Sequence, residues 1–89
     1  DKRVFRAAVS EIPDDKAVVF VRYAAGHNPH SELIANEPNL EKARVWIVYD
    51  RGKENAQILK LARERMPYVY VEARKRLQRL DRVTLSGEE

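Results

Sequence analysis

A small three-layer α/β domain with a parallel sheet at its centre is what this sequence predicts, and three observations carry the prediction. Runs rich in β-branched and aromatic residues recur three times: "AVVFVRY" (17–23), "ARVWIVYD" (43–50) and "YVYVEA" (68–73). Each is apolar on both faces, as in strands of a covered parallel sheet. Between the second and third lies "ENAQILKLARERM", where Ile58, Leu61, Ala62 and Met66 form one apolar helix face. Strand, crossover, strand, helix, strand is the order of a parallel sheet with right-handed connections.

The elements follow in order. Val4, Phe5, Ala8, Val9 and Ile12 fall at helical spacing, so a first helix is expected over about 2–11, closed by Pro13 and Asp14-Asp15. The first strand covers about 17–23. The crossover 24–42 is long enough to join parallel strands but poor in helical pattern. Within it, "SELIAN" offers at most one helical turn, with Ser31 as its N-cap. The second strand covers about 43–50 and a second helix about 53–65. Pro67 keeps that helix out of the third strand, about 68–73. The tail has two readings. Ala73, Leu77 and Leu80 fit a helix, but a strand that ends without a gap favours a hairpin that adds an antiparallel edge strand at the C-terminus. "RVTLS" (82–86) reads as a further short strand.

Eighty-nine residues make one domain, 44% hydrophobic and 35% charged, which is the composition of a globular chain. The absence of cysteine excludes disulfides and thiolate metal sites. Net charge is +3, with a basic third carrying Arg63, Arg65, Arg74, Lys75, Arg76, Arg79 and Arg82. Such a segment meets phosphates, nucleic acid or anionic lipid, or else forms a solvated face, which is the commoner outcome. No apolar run approaches the roughly 20 residues that span a bilayer. The start at "DKRVFRAAV", without methionine, reads as a piece of a longer protein.

In open parallel sheets ligands collect beyond the carboxyl ends of the strands. The first strand delivers Arg22 and Tyr23, then "GHNPH" with His27 and His30. The second delivers Asp50, Arg51, Gly52 and Asn55, and the third delivers Glu72. If the strands are parallel neighbours, Arg22, His27, Asp50, Arg51 and Asn55 share one rim. His27-x-x-His30 lacks a third ligand at a recognisable spacing, so no metal and no cofactor is expected. Asp50 could serve as a general base, but pairing with Arg22 or holding the next loop by its backbone amides ranks ahead. Gly52 is expected at positive φ, and Asn55 as a first-turn cap. The exposed amides of that helix start could accept an anion. Neither GxGxxG nor GxxxxGK[ST] is present, and no Ser/His/Asp set is visible.

Residues 17–72, with "VVFVRY", the GHNPH loop, "LIANEP", "VWIVYDRG" followed by Asn55, and Arg65-Met66-Pro67-Tyr68, resemble a known kind of domain. It is the carboxyl-terminal soluble domain of some bacterial membrane proteins similar to dolichyl-phosphate-mannose-type glycosyltransferases of the GT-C class. The resemblance implies a non-catalytic accessory domain on the extracytoplasmic side of the cytoplasmic membrane. The sugar-transferring carboxylates would lie in the membrane portion, so no catalytic residue carries over. The implied partners are the membrane-embedded part of the same chain and a glycan or lipid-linked sugar. His27, His30, Asn36, Asp50, Arg51, Gly52 and Asn55 are the motif positions where such a ligand is sought, with Arg22 beside them. Two other classes remain open: a small enzyme on a phosphorylated or carbonyl substrate using Asp50 or His27, and a basic nucleic-acid-binding module. The last ranks third, because the tail lacks aromatic residues between its cations.

Overall fold

The computed structural model describes residues 2–27 and 32–80. Its elements are α1 (Lys2–Ser10), β1 (Ala17–Arg22), β2 (Val45–Tyr49), a 3-10 turn (Gly52–Glu54) leading into α2 (Asn55–Leu61), β3 (Met66–Val71), and β4 (Arg76–Arg79). The sheet order is β2-β1-β3-β4. β1 pairs in parallel with both β2 and β3, and β4 closes the far edge antiparallel to β3. The predicted α/β architecture is therefore the observed one, including the C-terminal hairpin. That hairpin turns at Glu72–Arg74, followed by Lys75 at φ 51. The predicted strand at 82–86 lies outside the described residues.

β1 sits between β2 and β3, and Ala17 to Val21 are essentially without solvent contact. Their alternation builds a core on each face. Val19 and Val21 pack with Phe5, Ile12, Leu33, Tyr68 and Tyr70, while Val18 and Phe20 pack with Leu59 and Val69. α1 and the 33–34 segment cover the first face and α2 covers the second, giving three layers. Each such aliphatic or aromatic side chain stabilises the fold by about 1.5–3 kcal/mol. The β1 run thus anchors the whole domain.

Two elements differ from the sequence pattern. β2 forms the outer edge of the sheet, with Val45 to Val48 half-buried and Tyr49 exposed rather than buried. On its outer side the Asn36 amide takes the place of a neighbouring strand. Asn36 Oδ1 accepts the Ile47 N–H at 2.8 Å, and Nδ2 donates to the Ile47 carbonyl at 2.9 Å. Helix α2 also ends at Leu61, well before residue 65. The inward stripe is Asn55, Leu59 and Ala62, all buried, with Ile58 partly buried beside them, whereas Leu61 is 78% exposed and Met66 opens β3. Rotating the helix by one residue buries Leu59 and leaves 63–65 to turn the chain into β3. No helical turn forms in 32–36, and Ser31 lies outside the described residues.

The opposite end of the sheet is fastened by Arg65, which is 3% exposed. Its guanidinium donates to the carbonyls of Ala17 (3.3 Å), Arg44 (3.1 Å) and Leu40 (3.1 Å). It also lies 4.2 Å from the centre of the Trp46 ring. Burial pushes its pKa down, and nearby Glu64 opposes that shift. One planar fork thereby ties the start of β1, the segment before β2 and the entrance to β3 together.

Candidate functional site at the strand exits

The parallel strands bring Arg22, His27, Asp50, Arg51, Gly52, Asn55 and Glu72 to one end of the molecule. They form two separate networks there. His30 lies outside the described residues, and among the described residues no three His, Asp or Glu side chains are placed to hold a metal ion.

The first network is a clasp at the exit of β2. The Asp50 side chain is 8% exposed, and Arg22 Nε donates to its Oδ2 at 2.7 Å. Its Oδ1 accepts the Gly52 N–H at 3.0 Å and the Asn55 side-chain amide at 2.8 Å. The other atom of that amide, Asn55 Oδ1, accepts the Arg51 N–H at 2.8 Å. Gly52 takes φ 62, a conformation that other residues adopt only under strain, so the chain can double back beneath the carboxylate. Burial alone would raise the Asp50 pKa. The donors from Gly52, Asn55 and Arg22 outweigh it and hold the carboxyl below its ordinary range. A general base working near neutral pH needs the opposite shift. The amides of Arg51 and Gly52, just before the expected helix start, are engaged inside the protein.

The second network joins the exits of β1 and β3 to the crossover. His27 Nδ1 lies 2.6 Å from Glu72 Oε2, and the Ala24 N–H donates to Glu72 Oε1 at 2.9 Å. Gly26, at φ 82, closes the turn, in which the His27 N–H meets the Ala24 carbonyl at 3.1 Å. The His27 ring stacks on Tyr23 with centroids 3.8 Å apart. Tyr23 in turn donates its hydroxyl to Glu32 and accepts the Leu33 N–H at 2.9 Å. Tyr49 donates to the other Glu32 oxygen at 2.9 Å. Burial would raise the Glu72 pKa, but the Ala24 amide and His27 bring it below the ordinary value. Hydrogen bonds from Tyr23, the Ile34 amide and Tyr49 lower that of Glu32. Tyr23 is pushed up to about 12, by burial first and by its bond to Glu32 second.

An alkaline titration follows from that last shift. An unfolded tyrosine ionises near 10 and Tyr23 near 12. Its contribution to stability is therefore fully present below pH 10 and lost as pH rises towards 12. Tyr23→Phe should flatten this loss and, by leaving the buried Leu33 amide without its acceptor, cost about 1–2 kcal/mol at neutral pH. Urea denaturation of both proteins at several alkaline pH values checks it.

Beside the two networks a cleft of about 450 Å³ opens at the β2 edge. Ile34, Ile47 and Ile58 form its apolar lining, Tyr49 is 44% exposed at its side, and Arg51, Glu54 and Gln57 bring polar groups. Asn36, Asn55 and Arg51 thus line the cleft, while Arg22 and His27 do not. Sequence reasoning missed Glu32, Tyr23 and Tyr49 as partners. Glu32 is one carboxylate in a loop without periodic pattern, and its meeting with two tyrosines depends on the path of the crossover. Fold and site together define a small α/β domain whose strand-exit polar groups hold one another. No protein-family model, curated protein or solved structure matches the chain.

Proposed function

We propose that this chain is a non-catalytic accessory domain of a membrane glycosyltransferase-like protein, binding a glycan or the head group of a lipid-linked sugar in the cleft beside Tyr49. The observation that carries the non-catalytic reading is the engagement of Asp50, the carboxylate placed like a general base, within the protein. Both Asp50 oxygens are taken up by Arg22, Gly52 and Asn55. The cleft supports the binding half. Its volume falls within the roughly 300–1,000 Å³ of small-ligand sites. An exposed tyrosine ring with aliphatic neighbours suits the C–H face of a sugar, and Arg51, Glu54 and Gln57 suit paired hydroxyls. Arg51 is also the group that a carrier phosphate would meet. The tie to a glycosyltransferase-like parent rests on the resemblance over residues 17–72.

Amide chemical shifts recorded during titration with neutral hexoses, and separately with a short-chain polyprenyl-phosphate sugar, test the binding. Perturbations should cluster on 34–36, 47–51 and 54–58, with a dissociation constant on the order of 1 mM. Tyr49→Ala should weaken binding about tenfold, or about 1.4 kcal/mol. Shifts scattered elsewhere, or none at saturating sugar, would refute the cleft. Reading the coding sequence that adjoins this segment tests the parentage, since a hydrophobic multi-span region is required there.

A further inference from the structure

We infer that the strand-exit end of the domain docks against an anionic lipid bilayer. Three separate elements bring exposed cations to that end. Helix α1 runs antiparallel to β1: Phe5 meets Tyr70 near the exit of β3 with ring centres 4.8 Å apart, whereas the Val9 carbonyl accepts from Arg44 just before β2. Lys2 and Arg6, in the first turns of α1, therefore stand at the exit end, and both are exposed. The β3–β4 hairpin turns at the same end, because Val71 pairs with Arg76 there. Its tip carries Arg74, Lys75 and Arg76 in succession, all exposed, with Lys75 at φ 51 turning the chain. Arg51 and Lys53, both exposed, follow the exit of β2, whereas the charge of Arg22 is paired with Asp50.

Of the acids near this end, Asp50 and Glu72 are recessed, whereas Glu32 and Glu54 are exposed and Glu11 shares a depression with Arg74, Lys75 and Arg76; the exposed cations outnumber these three. The side chains of Asp50 and Glu72 are 8% and 17% exposed and face internal donors. At the opposite end Asp14, Asp15 and Glu64 intermix with Lys16 and Arg63 around one depression. Charge is thus polarised along the strand direction. A broad end fed by separate elements matches a plane of negative head groups, each nearby cation raising partition about fivefold. A single-stranded nucleic acid instead asks for a groove with aromatic platforms. The exposed apolar side chain among the α1 cations is aliphatic, Val4. This inference goes beyond the sugar-binding reading and stands if that reading fails.

Vesicle co-sedimentation tests it, using phosphatidylcholine with or without about 30% phosphatidylglycerol at low salt. The protein should partition onto the anionic vesicles only, and weaken steeply as salt rises. Arg74→Glu with Arg76→Glu should lower partition at least tenfold, and Lys2→Glu, on a different element, about fivefold or more. Lys42→Glu with Arg63→Glu, at the other end, should stay within about twofold. Inorganic phosphate at matched ionic strength should not compete. Equal partition onto neutral vesicles, no partition, an equal loss in the Lys42/Arg63 pair, competition by phosphate, or tighter binding to a single-stranded oligonucleotide would each overturn the inference. All these positions are exposed, and thermal melts of the variants confirm that each remains folded.

Discussion

Replacing Arg65 by alanine is expected to remove about 3 kcal/mol of stability, because three charge-assisted hydrogen bonds and the packing against the Trp46 ring vanish together. The carbonyls of Arg44 and Leu40 keep one partner each, the Ala17 N–H and the Trp46 indole N–H. The loss is therefore not that of three orphaned acceptors. What disappears is the link between the starts of β1 and β3 and the segment before β2, and a void opens under Trp46. A domain of this length holds on the order of 5 kcal/mol in total, so the variant should be visibly unfolded at modest urea concentrations. Arg65→Lys should recover little, because one ammonium cannot reach three divergent carbonyls in the plane of a fork. A shift of the urea midpoint with unchanged slope would match this account. A loss below about 1 kcal/mol would mean that water replaces the guanidinium at no cost.

Asp50→Ala should cost about 2–3 kcal/mol, the second-largest effect, because it strands the Gly52 amide and the largely buried Asn55 side chain. Arg22→Ala should cost about 1 kcal/mol or less, since its side chain is mostly in solvent. The inequality between the two partners of one ion pair separates a loop clasp from a simple surface salt bridge. The pH dependence has a definite sign. The folded Asp50 pKa lies below its unfolded value, so its contribution is present above the unfolded pKa and lost as pH falls through the folded one. Wild type and Asp50→Ala should therefore converge in stability under acid conditions. If Asp50 were instead a poised base in a small enzyme, its replacement would leave the melt nearly unchanged.

Much of the sheet was legible in the residues themselves. "AVVFVR" and "YVYV" are apolar on both faces because β1 and β3 are each flanked by strands and covered by layers; β3 opens at Met66, two residues before the expected start, and takes in Pro67, which was expected to precede it. The hairpin was legible from spacing, since a strand expected to run to about residue 73 leaves no loop for a helix; β3 in fact ends at Val71. Where helix α2 ends was not: Ile58, Leu61 and Ala62 satisfy helical periodicity as well as Ile58, Leu59 and Ala62 do. Only the position of Phe20 and Val69 decides that Leu59 faces inward. Arg65 counted as part of a basic surface because arginine is usually exposed, and nothing local announces three converging carbonyls. At the site, the alternatives weighed for Asp50 both came true, through Arg22 and through the Gly52 amide. Asn36 could not be read, because its role depends on an edge strand eleven residues away. A charged residue's partner is a tertiary fact, whereas a β-branched run is a local one.

Carboxyl NMR titration of Asp50 and Glu72 in the intact domain tests most directly whether the strand-exit groups are spent on each other. Both carboxyls are expected to titrate below the ordinary range for their type, Asp50 through Gly52, Asn55 and Arg22, and Glu72 through Ala24 and His27. A value for either group raised towards neutrality would reveal an unpaired, poised acid–base residue and contradict the non-catalytic account.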